Sequence, residues 1–410
     1  MEKLNGVYAS TAQILQQVGE SNQSGNADRD KVCILSIDGG GMRGLIPAFM
    51  LGYLEEALQR RSGNPNARIA DYFDIGTGTS VGAWLIAMLF LPDEKGTPLF
   101  TGQGTWKYMC EYAKDIFRLR KLQRPFSLLR GMISPKYSTR YWERLLQKMF
   151  VRDGKPYTLK DPIKPLLLPC YDLATAGPFI FSTSDAKEYA SSDFRLWEVI
   201  RASSAVPGLW KPAFVTSTDS SRSIPAVDGG LVLSNPTAAA ITHVLHNKRD
   251  FPSTGSVHDM LILSLGTGQF AHTYQFKEVR GWGALQWLKP IARMIFDSWA
   301  DMVDHTISNA YGKDKDSYLR IQVAGLPDQA LAEMDDPSTK NVHKLSKLAK
   351  DGLDQRTLEF LPFGGKKPHD LTNRERLEWF AEQLIKEREA RATRKLTNGS
   401  HISTSEVKVG

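Results

Sequence analysis

Six short apolar runs recur along this chain: KVCILSI (31–37), YFDIGTG (72–78), IKPLLLPC (163–170), PFIFS (178–182), DMLILSLGTG (259–268) and LRIQVAG (319–325). Runs of this length without polar alternation suit strands buried on both faces. Between them lie stretches with apolar residues at helical spacing, at 45–61, 137–150, 196–204 and 236–246. Strands that alternate with helices predict an α/β class with a mainly parallel, layered sheet. The pattern starts at Lys31, after a polar lead-in over 1–30, and runs to about residue 325. Beyond 326 no strand is expected. Residues 331–353 and 371–395 read as helices, the second with Leu377, Phe380 and Leu384 as a narrow apolar stripe, and the tail from Leu396 reads as disordered.

Composition removes several alternatives. Three cysteines, Cys33, Cys110 and Cys170, are too few and too scattered for a disulfide framework or a zinc site, which points to a reducing compartment. The lead-in has no apolar core of signal-peptide length. The longest apolar run, 81–92, is shorter than the roughly 20 residues a membrane span needs. A cytoplasmic protein with peripheral membrane association is expected. The net charge of +7 is uneven: 114–160 holds thirteen Lys/Arg against Asp115, Glu143 and Asp153. Phe117, Phe126, Leu128, Leu129, Tyr137 and Trp142 are interleaved with these charges, a mixture suited to an anionic membrane surface. Nucleic acid is the competing partner for a basic patch, but no recognisable nucleic-acid module accompanies this one, so none is expected.

Three glycine motifs carry the chemistry. ILSIDGGGMRGLIP (34–47) places Gly39, Gly40, Gly41, Arg43 and Gly44 between a strand and a helix. Alone it fits a phosphate cradle, an oxyanion hole or a tight turn. The acidic residue that a dinucleotide fold wants about 20 residues later, closing a second strand, is missing. Gly78-Thr79-Ser80-Val81-Gly82 fits G-x-S-x-G where an apolar strand meets an apolar helix, the context of a nucleophile elbow. The plainer reading is a glycine-rich turn with an incidental serine. Asp228-Gly229-Gly230 could set a carboxylate against a serine hydroxyl, or could simply shape a hairpin turn. None of the eight histidines stands in a glycine-flanked loop.

Taken in order, LSIDGGGMRG, GTSVG and VDGG resemble the three signatures of the patatin-like phospholipases, over roughly residues 31–270. LLLPCYDLATAGPFIFS and AVDGGLVLSNPTAAAITHVL are similar to the type III patatin-related acyl hydrolases of plants. The resemblance implies a three-layer α/β/α fold and a lipid acyl hydrolase, with Ser80 as nucleophile and Asp228 as general base. It implies an oxyanion hole from Gly39, Gly40 and Gly41 with Arg43, and supporting glycines at Gly44, Gly78, Gly82, Gly229 and Gly230. Membrane glycerolipids would be the substrate, with neither metal nor other cofactor. Ala83 departs from the glycine common after the elbow, which is tolerable if its φ is negative. The rival readings are an esterase with a triad of Ser80, Asp228 and His243 or a later histidine, and a lipid-binding pseudoenzyme on the same fold.

Overall fold

In a computed structural model, which describes residues 30–118, 134–270, 274–312, 315–326, 334–360 and 366–405, the first apolar run forms a central strand, β1 (Val32–Ile37). All six of its residues are buried. Cys33, Leu35 and Ile37 enter one hydrophobic core, and Val32 and Ile34 enter another on the opposite face. Two covered faces explain why the run is continuously apolar.

The other apolar runs form β2 (Ile75–Gly78), β5 (Leu166–Asp172), β6 (Gly177–Ser182), β9 (Met260–Leu265) and β10 (Tyr318–Ile321). Four further strands are β3 (Val151–Arg152), β4 (Lys155–Pro156), β7 (Ala213–Thr216) and β8 (Ser223–Asp228). The main sheet runs β10-β9-β1-β2-β5-β8-β7, with β6 also paired to β5. From β10 to β5 every pairing is parallel, whereas β6, β7 and β8 pair antiparallel. One face is covered by α1 (Leu45–Ser62), α2 (Val81–Phe90), α3 (Gly102–Ile116), α4 (Thr139–Phe150) and α5 (Leu196–Ser203). The other is covered by α6 (Thr237–His246) and the last turns of α7 (Ala284–Tyr311). The architecture is a three-layer α/β/α sandwich.

Register sets the position of the loops. Ile37 lies opposite both Gly78 and Leu265, and Leu265 opposite Ile321, so four parallel strands end at one level. β5 continues past the end of β2, and the antiparallel β8 pairs with this overhang, Cys170 opposite Asp228. The last residue of β8 is thereby delivered beside the turn that follows β2. A crevice outside the carboxyl ends of parallel strands is the usual ligand position in such sheets.

All ten residues of α2 are buried, as expected of a helix apolar all round. Among the described residues no helix is long and apolar enough to cross a membrane. The absence of strands beyond residue 326 is corrected: β11 (Arg356–Phe360) and β12 (Lys366–Thr372) pair antiparallel. Their sequences are polar because the ribbon stands largely in solvent, so no apolar run marks it. They are flanked by α8 (Thr339–Gly352) and α9 (Asn373–Ser405). In α9 Leu377, Phe380 and Leu384 are buried, and Phe380 stacks on Phe73 at 6.5 Å. Arg391 in α9 reaches both carboxylate oxygens of Asp74 at 2.8 Å. The helix continues to Ser405, past the expected end near Leu396, since each added residue gains a hydrogen bond once a helix is nucleated.

The basic segment is partly built into the fold. Phe117, Tyr137 and Trp142 are core residues and not surface anchors. Lys136, Arg152 and Lys160 pair with Asp335, Glu94 and Asp193. Arg140, Arg144 and Lys148, four residues apart on α4, stay exposed. Arg120, Lys121, Arg124, Phe126, Leu128, Leu129 and Arg130 lie outside the described residues.

Candidate active site

Between β2 and α2 the chain reverses direction at Ser80, whose φ of 55° and ψ of −117° are unusual for a residue with a side chain. Holding such a conformation costs about 1–3 kcal/mol and needs support from the surroundings. Here the Ser80 N–H donates to Ser203 Oγ at 3.0 Å, and the Thr79 hydroxyl donates to the Leu233 carbonyl at 2.6 Å. Close backbone approach explains the flanking glycines. A Cβ on Gly78 would stand 2.3 Å from the Gly82 carbonyl, and one on Gly82 would stand 2.2 Å from the Ile37 carbonyl oxygen. Gly82→Ala is expected to lower stability by about 1–3 kcal/mol through overpacking, read as a lower melting temperature. Ala83 lies inside α2 and is not among the residues of positive φ, so its methyl is accommodated.

Ser80 Oγ donates to Asp228 Oδ2 at 2.7 Å. The other carboxylate oxygen of Asp228 accepts the Gly230 N–H at 2.7 Å. Asp228 is buried at the end of β8, and burial pushes its pKa from an ordinary 3.8 up to about 7, only partly offset by the bonds from Ser80 and Gly230. No cation is among the causes of the shift. A hydroxyl held against such a carboxylate can lose its proton to it near neutral pH.

Beside Ser80 runs the glycine loop. Its amides are not equivalent, because the Gly39 N–H is taken by the Ser234 carbonyl at 3.1 Å. Among the described residues, the Gly40 and Gly41 N–H groups have no hydrogen-bond partner. Of the three glycines expected to form the oxyanion hole, Gly39 uses its amide in closing the turn, and among the described residues the other two keep theirs without a partner. At Gly41, φ is 57° and a Cβ would meet the Met334 carbonyl oxygen at 2.4 Å, so only glycine fits. Thr267, in the loop after β9, donates to the Gly39 carbonyl at 2.7 Å and fixes the loop from its other side. Beneath it Arg320 of β10 grips Asp38 at 2.9 and 2.5 Å.

Gly39, Gly40, Gly41, Arg43, Ser80, Asp228 and Gly230 line one cavity of about 390 Å³, walled by Val206, Pro207, Leu209, Leu231 and Met334. The Arg43 guanidinium lies 5.2 Å from the Phe270 ring centroid. Lys136 and Asp335 pair at 2.7 Å on the cavity wall. The remaining predicted glycines serve packing: a Cβ at Gly44 would strike Val81 at 2.5 Å, and one at Gly229 the Pro169 carbonyl at 2.3 Å. His243 is not brought to the site. It contacts Asn247 at 3.2 Å and the edge of Phe251, and among the described residues no histidine lines the cavity. Ser203, Thr267, Lys136 and Asp335 escape sequence reasoning. Ser203 is the last residue of α5, in a stretch without a glycine pattern, and Thr267 lies in a Gly-Thr-Gly after a strand.

A strained serine at a strand-to-helix elbow, hydrogen-bonded to an aspartate and flanked by a glycine loop on an α/β/α sheet, is the layout of a serine-nucleophile hydrolase fold. The chain belongs to the patatin-like phospholipase family, whose model matches residues 35–241. It is 42% identical over 398 residues to patatin-like protein 6 of Arabidopsis thaliana, covering 96% of this chain and 77% of that one. Patatin-like protein 7 of the same plant is 42% identical over 89% of this chain and 75% of its own. A relative named probable inactive patatin-like protein 9, also from Arabidopsis thaliana, is 41% identical over 87% of this chain and 86% of its own.

Proposed function

We propose that the protein is a calcium-independent lipid acyl hydrolase that cleaves fatty-acyl esters of membrane glycerolipids, phospholipids, galactolipids or lysolipids, through a Ser80–Asp228 dyad. The observation that carries this reading is the Ser80 Oγ to Asp228 Oδ2 hydrogen bond of 2.7 Å in a cavity that also holds two glycine amides without a partner among the described residues. Ser80 Oγ attacks the ester carbonyl as its proton passes to Asp228. The resulting oxyanion is held by the Gly40 and Gly41 N–H groups, aided by the positive end of the short helical turn that leads into α1. Collapse breaks the ester bond, and Asp228 returns its proton to the departing alcohol oxygen. Water, deprotonated by the same carboxylate, then attacks the acyl-enzyme, and the fatty acid leaves with Ser80 restored. The exposed Arg140, Arg144 and Lys148 offer anionic head groups a basic surface.

The test is release of fatty acid from mixed glycerolipid vesicles in excess chelator, with and without pretreatment by a fluorophosphonate that modifies reactive serines. Release is expected in chelator and is expected to stop when Ser80 carries the probe. Folded protein that neither reacts nor releases fatty acid would instead be a lipid-binding pseudoenzyme. His243→Ala is expected to keep wild-type turnover within about twofold, because a dyad has no role for it. Loss of about 10²-fold or more, the weight of a general base, would restore the triad.

A further inference from the structure

The crossover from β9 to β10 is longer than the sheet requires. β9 has six residues, about 20 Å of strand, whereas α7 has 28, about 42 Å of helix. Among the described residues, its last turns are the part that lies on the sheet: Ala300, Asp304, Ile307 and Tyr311 are buried, and the Tyr311 hydroxyl donates to the Val257 carbonyl at 2.9 Å. Because α7 returns from the carboxyl end of β9 to the start of β10, its first half overhangs the edge where Ser80 and the glycine loop stand. From Tyr274 to Trp299 no described residue is buried.

This overhang is not polar. Ile291, Ile295, Trp299 and Met302 recur at spacings of four, four and three along one helix face and are 46, 43, 48 and 64% exposed. Phe276, eight residues ahead of the helix, is 79% exposed, Lys277 and Arg280 beside it in sequence are exposed as well, and Tyr274, Trp282 and Trp287 form an aromatic group in the same stretch. A contiguous apolar face of this kind marks an interaction site. Tryptophan and tyrosine flanked by lysine and arginine is the composition that settles at the head-group layer of a bilayer. Residues 274–300 hold four Lys/Arg against two acidic residues, the sign that an anionic leaflet attracts.

Its position selects the occupant. The segment leaves the rim of the catalytic cavity at Phe270, whose ring lies against the cavity residue Arg43. On another side Lys136 lines the same cavity, and α4 leads off from it with Arg140, Arg144 and Lys148 exposed. We infer that α7 is a membrane-docking helix that seats its exposed Ile291–Met302 face in the interface of an anionic phospholipid bilayer and so brings the mouth of the Ser80 cavity to its lipid. The inference rests on the lipid-hydrolase reading for its purpose, but docking itself needs no turnover.

The test uses the full chain carrying Ser80→Ala, sedimented with phosphatidylcholine vesicles containing phosphatidylserine, beside the same protein with Ile291→Gln, Ile295→Gln and Trp299→Gln. The three positions are exposed, so an unchanged circular dichroism spectrum is expected. Binding is expected to weaken at least about tenfold. Equal sedimentation of the two proteins overturns the proposal, as does a parent dimer that the triple change dissociates without any effect on vesicles. With Ser80 restored, the triple variant is expected to hydrolyse a monomeric short-chain ester at the parent rate and vesicle lipid at least about tenfold more slowly. Parent protein that binds vesicles but cleaves no monomeric ester would refute the hydrolase and keep the docking helix. Equal cleavage of vesicle lipid by both proteins would keep the hydrolase and refute the docking helix.

Discussion

Asp228→Asn protein is expected to lose about 10²–10⁴-fold in turnover and yet to unfold at a higher temperature than wild type above pH 7. The two effects have one cause. Burial raises the pKa of Asp228 to about 7, so the folded protein holds this proton more tightly than the unfolded chain, where the group titrates near 3.8. Stability from that proton is fully present below the unfolded value and is lost as pH rises through about 7. Carrying the ionised carboxylate at pH 8 therefore costs on the order of 4 kcal/mol. Asparagine has the same shape and no charge. Its oxygen can accept the Gly230 N–H, and its amide can face Ser80 Oγ, where it cannot take a proton. Turnover of the wild type should fall as pH drops through about 7, and melting curves of wild type and Asp228→Asn should converge near pH 4. Ser80→Ala removes the acyl-enzyme route itself, a loss on the order of 10⁶ in another serine hydrolase. An Asp228→Asn protein with wild-type turnover, or one less stable than wild type at pH 8, would contradict this account of the carboxylate.

The same physics separates what the sequence discloses from what it hides. Strands covered on both faces must be continuously apolar, so β1, β5 and β9 are legible as runs, and their alternation with helices implies the layers. Ser80, Asp228 and the glycine loop are legible because each needs a particular residue in a short local pattern. β7, β8 and β12 are not. Phe214 on β7 is 71% exposed, β8 contains Pro225, and β12 is polar with Pro368 within it, so none of them stands out as a continuous apolar run. The overhanging half of α7 has Pro290 inside and glycines ahead of it, and both obscure its period. The supports of the site are hidden for a different reason. Ser203 lies 123 residues from Ser80, Thr267 lies 228 from Gly39, and Asp335 lies 199 from Lys136. Nothing local marks such partners before the sheet order is known. Even the fate of the Gly39 amide depends on where Ser234 falls.

Arg320→Met is expected to destabilise the protein by about 3–5 kcal/mol, the cost of breaking a buried ion pair from one side. Arg320 and Asp38 are 6% and 2% exposed. Their two parallel hydrogen bonds, at 2.9 and 2.5 Å, join the middle of β10 to the residue that opens the glycine loop, and a third bond from Arg320 reaches Ser264 Oγ at 2.8 Å. Burial works against the charge on Arg320, but Asp38, with Asp304 behind it, outweighs burial and holds its pKa above the usual arginine range. Arginine therefore stays ionised, and removing it leaves Asp38 and Asp304 buried without their main countercharge, the weaker pull of Arg43 on Asp38 and of Lys366 on Asp304 remaining. Both carboxyls would then favour the protonated form in the fold. The variant should accordingly lose least stability at low pH and progressively more as pH rises toward 8. Urea unfolding at pH 5 and pH 8 reads this directly as a larger midpoint deficit at the higher pH with an unchanged slope. Arg320→Met with Asp38→Asn should recover part of the loss, because no uncompensated charge remains at residue 38. A deficit independent of pH, or a double variant no more stable than the single one, would show that Arg320 acts by packing and not by balancing Asp38.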